Sequence, residues 1–206
     1  MRTRVKICGI TRAEDAQTAA RLGADAIGMV FYDASPRNIS IEQAQALARS
    51  LPPFVCRVGL FVDADPQFVK EVMELVPLDM LQFHGNESAT DCDKFRKPYI
   101  KAIRMESGLS VSERMNEFSG ASAMLLDTYS TSVAGGSGES FDWSLVPQER
   151  PMPIILAGGL HAGNVAEAIR VAHPYAVDVS SGVERDKGIK DADKMSAFIN
   201  EVNRQL

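Results

Sequence analysis

A thiol and a carboxylate stand at the ends of two separate apolar runs of this sequence. Cys8 lies near the end of the run 5–10, and Asp127 closes the run 124–126. If both runs are strands of one barrel, their carboxyl ends open into the same mouth and the two side chains meet there. Acid/base catalysis requires one group that donates a proton and one that accepts it. The pair therefore predicts an enzyme site.

The elements that must position these groups recur along nearly the whole chain. Short apolar, β-branched runs alternate with helical patterns, which is typical of βα units around a parallel sheet. The predicted strands are 5–10, 26–31, 56–62, 80–84, 99–105, 123–128, 154–159 and 176–181. Eight such units favour an α/β fold of the (β/α)8 TIM-barrel type. An open doubly wound sheet is the alternative, disfavoured because no G-x-G-x-x-G follows the first strand.

Local signals mark several helix ends. They are two capping boxes, Thr11 with Glu14 and Ser40 with Gln43, an N-cap at Asp65 before Pro66, and a stop at Gly23. At 206 residues the chain is short for such a barrel. We therefore predict a single domain over 1–206 with one reduced helix. The sixth unit is the weakest, with a Gly/Ser/Thr-rich loop over 129–141 before a short helix at 142–146, and whether that loop closes over a ligand stays open.

Composition narrows the classes of partner. The net charge of -5 argues against a general nucleic-acid surface. No apolar stretch is long enough to span a bilayer, and the first residues show no leader pattern. The three cysteines have neither disulfide nor zinc spacing, which favours a reducing cytoplasm and no metal site. Cys56 and Cys92 are predicted to be structural, and the oligomeric state is left open between monomer and homodimer.

Polar and glycine residues stand at the other predicted strand ends. They are Arg37 after Pro36, His84, the pair Gly158 and Gly159, Asp178, and the run Ser180, Ser181 and Gly182. Loops after the seventh and eighth strands of such barrels commonly bind phosphate through bare backbone N–H groups. The two glycines and the Ser-Ser-Gly run therefore predict a phosphate site, whereas ordinary turn glycines are the alternative.

Each side chain also has a plainer interpretation. A free cysteine is usually a buried side chain that only packs against its neighbours. To become a thiolate, Cys8 would need nearby cations such as Lys6. Asp127 closes a wholly apolar strand and must have a partner or a reason to be partly protonated. Asp178 is equally suited to an ion pair with Lys6 inside the barrel. Arg37 is ordinarily a solvated loop residue and His84 a satisfied core histidine.

Taken together these motifs resemble the phosphoribosylanthranilate isomerase family of tryptophan biosynthesis. The matching segments are 5–11, 23–28, 35–37, 82–85, 125–127, 135–138, 141–143, 155–160, 178–184 and 187–191. Single glycine motifs recur in many phosphate-binding barrels. The order of K-I-C-G, S-P-R, Q-F-H-G and D-V-S-S-G-V-E along the chain is specific.

The resemblance implies an Amadori rearrangement of a phosphorylated aminosugar without metal or organic cofactor. It gives Asp127 the role of general acid and Cys8 that of general base. It also implies that Arg37 holds the anthranilate carboxylate, while Gly158, Gly159, Ser180, Ser181 and Gly182 surround the phosphate. Asp178 and His84 are implied to contact the sugar, the amine or the catalytic groups.

Two other hypotheses compete with this one. The first is a related barrel enzyme, a histidine-pathway aminoaldose isomerase or a ribulose-phosphate epimerase. Such chemistry is expected to use an aspartate at the first strand or a metal held by histidines and carboxylates, and Cys8 with only three histidines counts against both. The second is a barrel that binds a sugar phosphate without turnover, which would need neither Cys8 nor Asp127.

Overall fold

The first and last barrel strands pair with each other. The computed structural model describes residues 2–106, 108–128 and 141–205. Its eight parallel strands form a closed barrel in sequence order, with β1 hydrogen-bonded to both β2 and β8. A closed sheet has no edge strands, so the open doubly wound alternative is wrong and the (β/α)8 prediction is confirmed.

Strands and helices alternate around the barrel. The strands are β1 (Arg4–Cys8), β2 (Ala26–Phe31), β3 (Cys56–Phe61), β4 (Met80–Phe83), β5 (Tyr99–Met105), β6 (Ala123–Thr128), β7 (Ile154–Leu156) and β8 (Ala176–Val179), followed by the hairpin strands β9 (Glu184–Asp186) and β10 (Ile189–Lys190). The helices are α1 (Ala13–Leu22), α2 (Ile41–Ser50), α3 (Pro66–Leu75), α4 (Ala89–Asp93), α5 (Val111–Glu117), α6 (Val165–Ala172) and α7 (Ala192–Asn203). None of these helices is both long and apolar enough to cross a bilayer.

Several strands end earlier than the sequence predicted. β1 ends at Cys8, where Gly9 has a φ of 72°, and β7 ends before Gly158, whose φ is 81°. Left-handed backbone cannot continue a strand, so the chain turns at these points. The glycine and serine residues predicted at strand ends consequently lie in the loops just beyond them.

The sixth unit is reduced within the described residues. The short helix predicted at 142–146 is a single 3₁₀ turn, Trp143–Leu145, begun by Asp142, whose side chain accepts a hydrogen bond from the Ser144 backbone. Residues 129–140 of the predicted loop lie outside the described residues, so the question of a lid falls there too.

Three of the four predicted helix signals are confirmed. Ser40 and Gln43 form a complete capping box, Asp65 caps α3 ahead of Pro66, and Gly23 ends α1 in the left-handed conformation. The box predicted at Thr11 is wrong. Its hydroxyl donates instead to the carbonyl of Gly188, in the β9–β10 turn, so α1 begins after Arg12 without a side-chain cap.

Apolar side chains pack on both faces of the barrel strands, in three clusters. The largest one fills the space between strands and helices, with members such as Leu81 and Met124. Alternate residues of the same strands, such as Leu125 and Ile155, fill the barrel interior. A last interior layer contains Cys8 with Val30 and Leu60. Because side chains alternate between the two faces of a strand, polar residues near the carboxyl ends of the strands can emerge into the mouth above this layer.

Candidate active site

One pocket lies at the carboxyl ends of the barrel strands, and every site residue predicted from the sequence lines it. These residues are Cys8, Arg37, His84, Asp127, Gly158, Gly159, Asp178, Ser180, Ser181 and Gly182. They derive from six strands or the loops that follow them. Barrel closure explains why positions from both ends of the chain meet here, since β8 pairs directly with β1.

Below the mouth, Cys8 lies beside a buried ion pair. Lys6 Nζ is 2.9 Å from Asp178 Oδ1, as predicted, and both side chains are less than a tenth exposed. Lys6 and Asp178 are direct neighbours in the parallel register of β1 and β8. Gly28 on β2 leaves room for this group, because a Cβ there would lie 2.7 Å from Cys8 Sγ and 3.2 Å from Lys6 Nζ.

The charge of Lys6 is secured by its neighbours. Burial alone would lower the pKa of Lys6, but the Asp178 carboxylate, with a smaller contribution from Cys8, outweighs burial and raises it. Lys6 is therefore a cation held against Cys8. Since Asp178 balances that cation, its effect on the thiol is partly cancelled.

Nearby cations do act to lower the pKa of the Cys8 thiol, as expected, but the net shift of that pKa is upward. Burial is the largest influence and raises the pKa, and Asp178 raises it further. Lys6 and Lys190 act in the opposite direction without overcoming burial. Burial thus favours the thiol, and the proton must leave Cys8 before the group can act as a base.

This shift predicts the alkylation behaviour of Cys8. The pKa of the thiol is raised, so the thiolate fraction at neutral pH is smaller than for an ordinary cysteine with a pKa of about 8.5. The rate of iodoacetamide labelling at Cys8, followed by peptide mass spectrometry, should rise through a midpoint above that value. Lys6→Met should move the midpoint higher, because it removes a cation and leaves Asp178 unbalanced. A midpoint at or below the ordinary value would contradict the burial argument.

Asp127 has the partner that the sequence required. Its Oδ2 lies 3.2 Å from His84 Nε2, and its Oδ1 accepts the backbone N–H of Thr128 at 2.9 Å. The other ring nitrogen of His84, Nδ1, is 3.1 Å from Gln82 Nε2. His84 is thus neither a plain core residue nor a solvated one, since it links a barrel-interior amide to the carboxylate at the mouth.

Arg37 is anchored rather than solvated. Its Nε and Nη2 donate to the two carboxylate oxygens of Glu184, both at 2.7 Å. Glu184 also accepts from Lys190 Nζ at 2.8 Å, and all three side chains are largely buried. The bonds to Glu184 raise the pKa of Arg37. Two cations around one carboxylate leave a surplus positive charge beside the pocket, which suits an anionic group of a ligand.

The pKa values in this triad follow from burial and pairing. Burial opposes the charge of Glu184, but Arg37 and Lys190 outweigh it and lower the pKa of the carboxyl. Burial lowers the pKa of Lys190, and only part of that effect is offset by Glu184. Lys190 Nζ also contacts the carbonyl of Ser180 at 3.1 Å, which connects the triad to the loop after β8.

Glu184, Lys190, Gln82 and Arg104 are pocket-related residues that sequence reasoning did not assign. Arg104 and Gln82 line the pocket from β5 and β4. Each lies an even number of residues from an inward-facing neighbour, so strand alternation was a signal for both. For Glu184 and Lys190 no local signal existed beyond their place in the quoted motifs, because their contacts depend on how the β9–β10 hairpin folds back.

The loops after β7 and β8 meet as the phosphate prediction required. Gly158 and Gly159 both have positive φ, and a Cβ on Gly158 would lie 2.4 Å from the backbone N of Thr128. A Cβ on Gly182 would lie 2.0 Å from the carbonyl oxygen of Leu160. Ser181 opens a 3₁₀ turn beside them, and the first N–H groups of such a turn have no partner within it. Bare backbone and hydroxyls therefore line this side of the pocket.

Comparison with known proteins agrees with this geometry. The family model described as N-(5'phosphoribosyl)anthranilate (PRA) isomerase matches residues 5–201. N-(5'-phosphoribosyl)anthranilate isomerase of Pseudomonas paraeruginosa is 56% identical over 97% of this chain and 94% of its own length.

Solved structures give the same result. Phosphoribosyl anthranilate isomerase from Thermotoga maritima superimposes with a TM-score of 0.91 at 43% identity, covering 98% of this chain and 99% of that one. A second structure, of the enzyme in complex with reduced 1-(o-carboxyphenylamino)-1-deoxyribulose 5-phosphate, has a TM-score of 0.86 at 41% identity, with the same coverage of both chains. With a match over nearly its whole length and a shared barrel, this chain belongs to the N-(5'-phosphoribosyl)anthranilate isomerase family.

Proposed function

We propose that this chain converts N-(5'-phosphoribosyl)anthranilate to 1-(2-carboxyphenylamino)-1-deoxyribulose 5-phosphate in tryptophan biosynthesis. The observation that carries the proposal is the placement of Cys8 and Asp127 in one pocket whose wall also holds the loops after β7 and β8. The two side chains belong to β1 and β6, which are not neighbours in the barrel. The two side chains can therefore transfer protons at two different atoms of one sugar.

Asp127 is the general acid in this proposal. It donates a proton to the furanose ring oxygen, the C1–O bond breaks, and the amine lone pair forms an iminium at C1. The carboxylate left on Asp127 accepts the backbone N–H of Thr128 and lies 3.2 Å from Nε2 of His84, which supports it when that nitrogen carries a proton. Donors aimed at a charge that develops during reaction lower the barrier.

Cys8 is the general base. Its thiolate removes the C2 proton, the C–H electrons form a C1–C2 double bond, and the iminium nitrogen becomes neutral again. The resulting enolamine tautomerises when C1 gains a proton and the C2 hydroxyl loses one. C2 is oxidised and C1 reduced within one molecule, which makes the reaction an aldose–ketose isomerisation of the intramolecular oxidoreductase class. Because no electrons leave the substrate, the expectation of no cofactor is consistent with the chemistry.

The remaining pocket residues hold the substrate. Gly159 and the Ser180, Ser181 and Gly182 run receive the phosphate, and Gly158 shapes the turn. Arg37 receives the anthranilate carboxylate through Nη1, since Nε and Nη2 are bound to Glu184. Binding energy at these two remote ends fixes C2 and the ring oxygen against Cys8 and Asp127. Asp178 is expected to contact a sugar hydroxyl or the amine from below.

The test is the decay of anthranilate fluorescence on substrate generated in situ. Wild-type enzyme without added metal should convert the substrate, and the product should match the ketose. Calorimetry with the reduced product analogue separates the competing hypotheses. Tight binding without turnover would favour a sugar-phosphate binder, and failure of both would point to one of the related barrel enzymes. A single functional domain over 1–206, a small-molecule substrate without nucleic-acid or membrane partners, and a cytoplasmic location belong to the same proposal.

Arg37→Lys should weaken substrate binding more than it slows chemistry. Lysine keeps one positive charge but not the planar fork that binds Glu184 on one side and a carboxylate on the other. We expect KM to rise about tenfold to a hundredfold with a much smaller change in kcat, as for the loss of a hydrogen bond to a charged group. Thermal unfolding separates this effect from loss of the Glu184 contact. A KM unchanged in a folded variant would place the carboxylate elsewhere.

A further inference from the structure

Gln82 is a polar side chain that lines the pocket, is completely buried and serves no role in the mechanism above. It is 0% exposed on β4, one inward-facing position below His84. Its Nε2 lies 3.1 Å from His84 Nδ1, and its Oε1 has no hydrogen-bond partner among the described residues. A buried amide with one unpaired oxygen is costly, so its presence here calls for an explanation.

The direction of the Gln82 hydrogen bond determines where the His84 proton resides. A neutral imidazole carries one N–H, on either Nδ1 or Nε2. When the Gln82 amide donates to Nδ1, that nitrogen must be unprotonated and the proton is on Nε2. Nε2 faces Asp127 Oδ2 at 3.2 Å, so the ring then donates to the carboxylate. The reverse amide orientation would turn the Nε2 lone pair toward Asp127 Oδ2, which becomes repulsive as soon as Asp127 carries negative charge.

We propose that Gln82 is a positioning residue that selects the His84 tautomer with its proton on Nε2, and through it supports Asp127 during proton transfer. The proposal rests on the proposed function, in which Asp127 becomes negative as the ring oxygen is protonated. A hydrogen bond to Asp127 is stronger for the developing carboxylate than for the neutral acid. It therefore stabilises the transition state more than the ground state and contributes to kcat rather than to substrate affinity.

The first arm of the test needs no turnover. The chain has three histidines, and their ring nitrogens are resolved by ¹⁵N–¹H NMR at about pH 8, above the ordinary histidine pKa of about 6.5. His161→Gln and His173→Asn each remove one signal set and identify His84. We expect a pyridine-like Nδ1 and a pyrrole-like Nε2 for His84. A pyrrole-like Nδ1 with a pyridine-like Nε2 would overturn the proposal.

The second arm is a double-mutant cycle in kcat. Gln82→Met preserves side-chain length and removes the donor, so kcat should fall about tenfold to a hundredfold, the range of a hydrogen bond to a charged group, while KM changes little. In a His84→Asn background the same substitution should cost nothing more, because its effect passes through the ring. A cost that simply adds to that of His84→Asn would show a packing role and overturn the proposal.

The two arms separate this proposal from the proposed function. If wild-type enzyme lacked isomerase activity, the proposed function would fail and the NMR result alone would decide the tautomer. If Gln82→Met did not fold, the wild-type spectrum would still decide it. If the enzyme is active and His84 carries its proton on Nδ1, the reaction assignment stands and the role of Gln82 is wrong.

Discussion

Replacing Cys8 with alanine is expected to reduce kcat by about a hundredfold to ten-thousandfold, the range that one general acid/base group contributes. Alanine cannot accept the C2 proton, and in the pocket no second thiol among the described residues stands in for it. The buried Lys6–Asp178 pair should remain, because both partners are retained. The measurement is the decay of anthranilate fluorescence under saturating substrate.

Cys56→Ala is the matched control for this prediction. Cys56 begins β3, at the opposite end of the barrel from the pocket, and is half-buried. Its replacement removes the same atoms without touching the site, so kcat should be close to wild type. Binding of the reduced product analogue should survive in Cys8→Ala, which would show that the pocket is intact. Turnover near wild type in Cys8→Ala would keep the reaction and remove Cys8 from the role of base.

Barrel topology made much of the site predictable from sequence. Once β1 and β8 are neighbours, two residues at matching positions must pair, and Lys6 with Asp178 do so in direct register. The same reasoning placed Asp127 and His84 at strand ends that share a mouth. These predictions needed only the two-residue alternation of strands and the rule that parallel barrels open at their carboxyl ends.

The missed features depend on packing or on distant segments. The pKa of Cys8 is raised because the thiol is buried under the mouth, and burial cannot be read from the charges near it in sequence. Arg37 is bound by Glu184, far away in sequence, on a hairpin that no periodic pattern announced. Thr11 has the spacing of a capping box, yet its hydroxyl donates a hydrogen bond to the carbonyl of Gly188 in the same hairpin. Tertiary contacts of this kind override the structure that a local sequence pattern predicts.

The barrel wall also explains why the acid and base differ in setting. Cys8 lies in the last interior layer, among Val30 and Leu60, whereas Asp127 is partly exposed at the rim with a hydrogen-bonding partner at each oxygen. An apolar setting opposes charge on the thiol, and hydrogen bonds at the rim support charge on the carboxylate. The hydrogen bonds at the rim thus stabilise the proposed acid as it gives up its proton and becomes negative. The proposed base becomes neutral as it accepts one, which suits its dry surroundings.

Asp127→Asn is the second substitution expected to reduce turnover by about a hundredfold to ten-thousandfold. The amide has nearly the same shape but cannot transfer a proton to the ring oxygen. Thr128 and His84 contact different oxygens of Asp127, so in asparagine one of these two positions becomes an NH2 group that cannot accept. Binding of the reduced product analogue should change far less than kcat, and thermal unfolding should report a folded barrel.

A substrate deuterated at C2 distinguishes the roles of the two residues. Asp127 acts at ring opening, so Asp127→Asn should make that step rate-limiting and suppress the primary isotope effect on kcat. Cys8→Ser weakens proton removal at C2, so there the isotope effect should be fully expressed. Opposite outcomes in the two variants would assign acid and base to separate steps. A full isotope effect in Asp127→Asn would mean that ring opening does not depend on Asp127, and a different donor must then protonate the ring oxygen.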